Sequence, residues 1–417
     1  MGGKVSLMLV LGFSAIFGLM GTNMLKMTNE STDNYVKYYN MTNAHNLAVS
    51  GANMAANEIF ISKYWMTGYS NVKYENGRID VSVDSFGVDN KLITSIGNYN
   101  GYQDTVIVLL EPKNFAQYGN FYNSMAAWAA TGDTFSGPFH TNDYLKCYGD
   151  PVFLGYTTTK NGVKLYHNNG TDNPEFHGGL QEGLFIPLEF DTTEIKQAAF
   201  SGGKIFYDTT GSNNIIDVKL NLLGNGSVDY SVNINNTGWS PVKNETLSSI
   251  APNGVIYIEK GNLFIEGTLK GRLSVVASSK GNNSAGQIHI TDDLQYKKNP
   301  LIHPSSTDML GLIAENFAQV DYNPATGDLD LHASIYSQKD GLIIERYADY
   351  PTANKMNIVG GVIGEKVRAT AKYVWNGSAY VPTNGYSYVH RFDERFNKTV
   401  PPFFPKTKYY KVVTWLE

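Results

Sequence analysis

The chain has 417 residues, 42% of them hydrophobic and 17% charged, with a formal net charge of -5 at pH 7. That length allows one large domain or two modest ones. The acidic balance, without a Lys/Arg block anywhere, argues against nucleic acid as a partner, because phosphate binding needs a concentrated basic face.

A single cysteine, Cys147, excludes an intrachain disulfide framework and any Cys-based zinc site. The Tyr-, Asn- and Gly-rich composition fits an exported surface protein. No charged side chain occurs between Lys4 and Lys26. At ~1.5 Å rise per residue, a helix of roughly 21 such positions crosses a ~30 Å hydrocarbon layer. Leu7, Leu9, Leu11, Phe13, Ile16, Phe17 and Met20 are its large apolar members. Beyond Lys26 the chain runs to about Trp65 without proline and with apolar residues at helical spacing, so one long helix is expected. A cleaved secretory signal would need a shorter core and an Ala-x-Ala-like exit, for which Gly21-Thr22-Asn23 is a poor substitute. A plain signal anchor and an assembly helix are the other two readings.

The continuation separates them. Ala44, Ala48, Gly51, Ala52, Ala55 and Ile59 fall on one helical face, and small residues in such a stripe let a helix or sheet approach closely. This pattern resembles the PilX-type minor pilins and related type IV pilin-like surface proteins. The resemblance implies an apolar helix half, an alanine-rich half packed on the globular part, and Gly3 as the candidate processing site. The early glutamate of major pilins has no counterpart here, since the first glutamate is Glu30.

From Ile79 the period changes to two. Asp80–Asp84 alternates and Thr105–Leu110 is a short apolar strand, with a loop expected over Asn90–Tyr99 and a short helix over Asn114–Ala130. Ser136-Gly137-Pro138 demands a turn, and His140-Thr141-Asn142-Asp143 is dense in side chains that bond nearby backbone. A strand-to-turn corner is the preferred reading of that motif, against a catalytic or metal pair of His140 and Asp143. Residues 160–250 carry Asn/Gly turns, and the segments from Lys219 and from Val228 alternate as hairpin strands.

Between 254 and 366, strands of four to six residues punctuated by glycine suggest a parallel β-helix-like solenoid, with a β-sandwich as the alternative. The segment Ile265–Ala277, with Ile288–Tyr296, Leu310–Ala314, His140–Asp143 and Tyr388–Phe396, resembles an uncharacterised domain found behind pilin-like N-termini in bacterial surface proteins. That resemblance implies an anchored or filament-forming exterior protein, with no catalytic residues to transfer. Pro401, Pro402 and Pro405 isolate an aromatic, β-branched final strand, which pairs within its own domain or adds to a neighbouring subunit's sheet.

Solenoid enzymes of polysaccharides set carboxylates on neighbouring rungs. Asp292, Asp293, Asp328, Asp330 and Glu345 are the available ones, each with an ordinary reading as a cap or solvated carboxylate, and Asp328-x-Asp330 lacks the rest of a Ca²⁺ loop. No nucleophile elbow, phosphate-cradling loop or dinucleotide fingerprint occurs, so no enzyme activity, cofactor or metal is expected. Asn-x-Ser/Thr sequons begin at Asn29, Asn40, Asn169, Asn225, Asn235, Asn244, Asn282, Asn376 and Asn397, a small excess over chance; from Asn169 onward they are the candidate glycosylation sites.

The expected fold is therefore α+β: a membrane and filament-core helix over 1–65, a β-rich lobe with a short helix over 66–250, and a solenoid-like region over 251–417. The expected role is a structural subunit of an extracellular type IV pilus-like filament. Its helices would bundle in the core and its β domain would form the surface. Partners would be copies of itself, the pilus assembly machinery and, before assembly, the cytoplasmic membrane. The alternative is a singly anchored adhesin or carbohydrate-binding protein that meets surface carbohydrate.

Overall fold

The computed structural model describes every residue except Met1, Lys63, Val88, Asp89, Asn168, Asn169, Phe190, Asp191, Thr326, Ser378 and Ala379. The chain forms two compact units, residues 1–112 with 409–417, and residues 113–408. The fold is α+β, a long N-terminal helix followed by β-rich structure.

In the first unit, helix α1 spans Gly2–Ile61. Thr22, Thr28 and Thr32 return their hydroxyls to carbonyls three or four residues back, at 2.8–2.9 Å, so polar side chains near and beyond the apolar stretch cost the helix no unpaired donor. Strands β1 (Tyr69–Tyr74), β2 (Gly77–Phe86), β3 (Asn90–Tyr99) and β4 (Tyr102–Asn114) form an antiparallel meander, and the C-terminal strand Lys406–Leu416 joins the edge at β4. Asn100 and Gly101, both at positive φ, make the two-residue turn between β3 and β4.

The expected loop over Asn90–Tyr99 is thus a strand. Its inward positions are Ile93, Ser95 and Gly97, and two of these three residue types read as turn formers. They are small because α1 lies on them. The small stripe of α1 is buried against the same face: Ala44, Ala48, Ala52, Ala55 and Ile59 have no exposed surface, and all of these but Ala44, which lies over Gly97, pack with Leu47 on Ile79, Val81, Val83, Ile93, Val106 and Val108. A Cβ on Gly51 would meet Ser95 Oγ at 2.4 Å and Ile79 Cγ2 at 2.5 Å. Residues 44–59 therefore belong to the core of this unit. The compact units divide the chain after 112 and before 409, where the sequence suggested 65 and 250, because the docked half of α1 cannot be parted from the sheet it covers.

The second unit is a parallel solenoid. One ladder joins Lys204–Phe206, Val255–Ile258, Arg272–Ala277, Met309–Ala314, the end of Leu329–Ser337 and the end of Ala353–Lys366. Onto Ala353–Lys366 stack Asn120–Ser124, Phe139–Thr141, Thr157–Thr159 and Leu180–Glu182, also in parallel. A second ladder joins Ile216–Leu223, Gly261–Leu269, Ile288–Tyr296, Ala318–Val320 and Leu342–Ile344. Pairing passes around the coil from one ladder to the next, which makes a single closed network of strands. The hairpin expected from Lys219 and Val228 is present, Ile216–Leu223 pairing antiparallel with Ser227–Ile234.

Spatial order and chain order differ. The chain enters mid-solenoid at Asn120–Ser124, coils outward to Leu180–Glu182, and returns through 183–203 to the opposite end. It then coils back from Lys204–Phe206 until Ala353–Lys366 meets Asn120–Ser124. Inward residues stack in register, as with Ile256, Val275, Leu312, Ile335 and Val362, all buried. An outward column, Ser274, Gly311, Ser334 and Gly361, is small because other segments cover it; a Cβ on Gly311 would lie 2.7 Å from Phe404 and 3.0 Å from Pro401.

The short helix expected over Asn114–Ala130 is not formed. Only the 3₁₀ turn Phe115–Gln117 appears, capped by the Asn114 carboxamide, before the chain enters strand Asn120–Ser124. Phe121 and Tyr122 favour strand, and a Cβ on Gly119 would touch Ser136 O at 2.2 Å, so the chain here packs backbone against backbone.

Candidate functional site

Two features stand out: the apolar half of α1 and a cleft in the solenoid unit. In α1 the side chains of Leu7, Leu9, Leu11, Phe13, Ile16, Phe17 and Met20 are all exposed, from 53% at Phe13 to 69% at Phe17. Leu19, Met24 and Leu25 are exposed as well, so apolar surface runs around the whole circumference. This stretch is long and apolar enough to cross a membrane, and none of it is buried in the chain's own structure. Gly3 sits in the first turn with open space around it.

The solenoid cleft encloses about 630 Å³. Its walls come from the rung corner around Met125–Phe135, from Tyr148, Tyr166 and His167, and from the crossing segment Lys366–Tyr373. Trp128 packs edge-on against Tyr166, with centroids 5.2 Å apart at 87°, and Tyr166 against Tyr148 at 4.9 Å and 75°. His167 is fixed beside them by its Nδ1 contact to Asp172, 2.9 Å. Burial of Asp172 works against ionisation. Hydrogen bonds from the His167 ring, the His167 N–H and the Gly149 N–H outweigh it and hold the pKa at about 2.

Deeper in, Tyr122 and Tyr388 donate their hydroxyls to Asn120 Oδ1 at 3.1 and 2.8 Å, and the Asn120 amide reaches His390 Nδ1 at 3.4 Å. His390 Nε2 then donates to Gly360 O at 3.1 Å. Burial depresses the His390 pKa to about 4, so this ring is neutral. Asp133 Oδ2 accepts the Ala130 N–H at 2.7 Å, while Oδ1 has no hydrogen-bond partner among the described residues. Burial raises the Asp133 pKa to about 6. Lys366 adds an ammonium to the wall, whereas the Arg368 guanidinium is already engaged by Asp340 at 2.6 and 2.7 Å.

The other residues singled out from sequence serve the framework. His140 is buried, its Nδ1 2.7 Å from Thr158 Oγ1 and its Nε2 2.9 Å from Asn142 Oδ1, and burial lowers its pKa to about 4. Asn142 holds the returning segment by Ile186, giving to its carbonyl at 2.6 Å and accepting its N–H at 3.0 Å. Asp143 accepts the N–H groups of Met125 and Tyr144. The motif is a corner.

Of the carboxylates, Asp293 accepts the Asp330 N–H, Asp330 accepts from Gln295 and Asn357, Asp328 accepts the Lys355 N–H and Glu345 the Tyr322 N–H, all between neighbouring rungs. Asp292 accepts the N–H of Asp293. Burial, with the charges of Asp330 and Asp292, raises the Asp293 pKa. Among the described residues no group of three His, Cys, Asp or Glu side chains is placed to hold a metal ion. Cys147 is buried and its pKa is pushed up to about 12 by burial.

Asn225, Asn235, Asn244, Asn376 and Asn397 are exposed and Asn282 is half-buried, whereas Asn169 lies outside the described residues. Asp133, Trp128, Tyr166 and Tyr373 were not visible as a group in the sequence. They come from three separate segments, joined only where the last rung meets the first.

No protein-family model matches the chain, and no curated protein matches it in sequence. Among solved structures it is similar to the competence-associated pilin ComZ from Thermus thermophilus, at 9% identity over 90% of this chain and 97% of that chain. The TM-score is 0.36, too low to establish a shared fold.

Proposed function

We propose that this chain is a structural subunit of an extracellular type IV pilus-like filament, held in the membrane by α1 until it assembles. The observation that carries the reading is the asymmetry of α1. Its second half is docked on a sheet through the small-residue stripe, while residues 5–25 are apolar on every side and bare. Burying one such large side chain is worth about 1.5–3 kcal/mol, so the seven named together favour leaving water by more than about 10 kcal/mol. A bilayer satisfies that demand, and so does a bundle of identical helices. The small stripe accounts for a helix that must stay fixed to its own domain while its free half is shared.

On this reading the partners are copies of the chain, the assembly machinery and the membrane. The β-rich units lie outside the cell, and the role is structural, with no reaction assigned. Electron microscopy of sheared cell-surface material, with antibody against this polypeptide, tests it: labelled filaments are expected. Label confined to the membrane fraction would favour the second reading, a singly anchored surface protein, which the aromatic cleft supports.

A further inference from the structure

The cleft between the rung corner 125–135 and the crossing segment 366–373 has no part in membrane insertion or helix bundling. Its lining narrows the chemistry of an occupant. A volume of about 630 Å³ is within the ordinary range for small-molecule sites, roughly 300–1,000 Å³. The wall is mostly apolar and aromatic, from Trp128, Tyr148, Tyr166 and Tyr373, and the perpendicular packing of the first three holds their rings in place.

Set into that wall are Asp133, with one carboxylate oxygen unused by the protein, and Lys366, with no ion-pair partner among the described residues. An acyl chain would strip water from both charges without replacing a hydrogen bond. A cationic ligand would share the cleft with the Lys366 ammonium, a like charge. A neutral molecule with flat C–H faces and a rim of hydroxyls meets every requirement: the faces lie on the rings, one hydroxyl donates to Asp133, and another accepts from Lys366.

We infer that this cleft is a saccharide-binding site, in which Trp128 and Tyr373 present stacking surfaces and Asp133 and Lys366 fix the ring hydroxyls. The site takes one or two sugar rings. It lies wholly within the solenoid unit and does not depend on whether the chain polymerises.

The test uses the full chain in a polyoxyethylene detergent, which carries no sugar headgroup. The probes are a panel of methyl glycosides of glucose, galactose, mannose and N-acetylglucosamine, followed by calorimetry and by tryptophan fluorescence. At least one glycoside should bind saturably. Trp128→Ala and Asp133→Asn should each weaken it about tenfold or more, and Trp128→Phe, which keeps a ring on the wall, should retain most of the affinity. Should the alanine variant fail to fold, the Asp133→Asn and Trp128→Phe pair still decides the matter. Absence of saturable binding by all four glycosides would overturn the assignment. So would binding that Asp133→Asn and a folded Trp128→Ala both leave unchanged, or a preference of the cleft for an alkyl chain over every sugar.

Discussion

The contact of α1 with its sheet is tightest at Gly97, and replacing that residue by alanine has a calculable consequence. A Cβ there would fall 2.0 Å from the Ala44 carbonyl oxygen, 2.5 Å from the Ala48 nitrogen and 2.9 Å from Leu47 Cβ. Two of the three are backbone atoms, which cannot rotate aside. Bringing the closest contact out to a tolerable 3.0 Å lifts the helix by at least 1 Å. A gap of about 0.5–1 Å already forfeits a quarter to a half of each dispersion contact beneath it. Overpacking of this kind costs about 1–3 kcal/mol, here at the upper end. Alanine recovers roughly 0.5–1 kcal/mol of strand preference over glycine.

The net loss should be about 2 kcal/mol. Hydrogen exchange of peptides covering residues 44–59, in the full chain, should therefore quicken about thirtyfold. Gly327→Ala, with nothing within 4 Å of the added methyl, should leave it unchanged. Equal protection in Gly97→Ala and the parent chain would refute the close packing of helix on sheet.

Asn142→Ala removes the carboxamide that serves both backbone groups of Ile186, leaving a buried donor and acceptor unpaired, and should destabilise the solenoid unit by about 2–4 kcal/mol in chemical denaturation; a loss under about 0.5 kcal/mol would mean that the returning segment is not held there. Stability of the same unit should fall on acidification. His140 and His390, depressed to about 4, bind fewer protons folded than unfolded between about pH 6.5 and 4, so each withdraws up to about 3 kcal/mol as pH drops through that window. Asp133, raised to about 6, works in the opposite direction over the lower part of the window and offsets about one histidine. The melting temperature of His390→Gln should accordingly vary less with pH than that of the parent, and an identical pH profile would contradict the buried neutral ring. Phe13→Asp should leave the exchange protection of 44–59 intact while abolishing extracellular filaments; normal filaments from that variant would count against an assembly role for residues 5–25.

The parts of this fold set by one-dimensional periodicity were legible in the sequence. The uncharged run before Lys26, the small stripe from Ala44 to Ile59 and the glycine-punctuated strands after 254 each declare a local geometry. What stayed hidden depends on what packs across. Ser95 and Gly97 look like turn residues until a helix is seen resting on them, and Trp128 and Ala129 look helical until they form a rung corner. The return of the chain through 183–203, which brings the last rung onto the first, has no local signal. The cleft built at that junction was therefore invisible as well. His140 was readable as a corner residue from its Thr-Asn-Asp neighbours, though its bond to Thr158 on the next rung was not.

A filament role requires the bare half of α1 to be shared between copies. Electron cryomicroscopy of surface filaments containing this polypeptide measures that directly. The expected reconstruction has residues 5–25 of each copy packed against the same residues of its neighbours, with Phe13 and Phe17 buried. Filaments whose core is formed by another protein, or a chain found only as a single membrane-anchored copy, would contradict it.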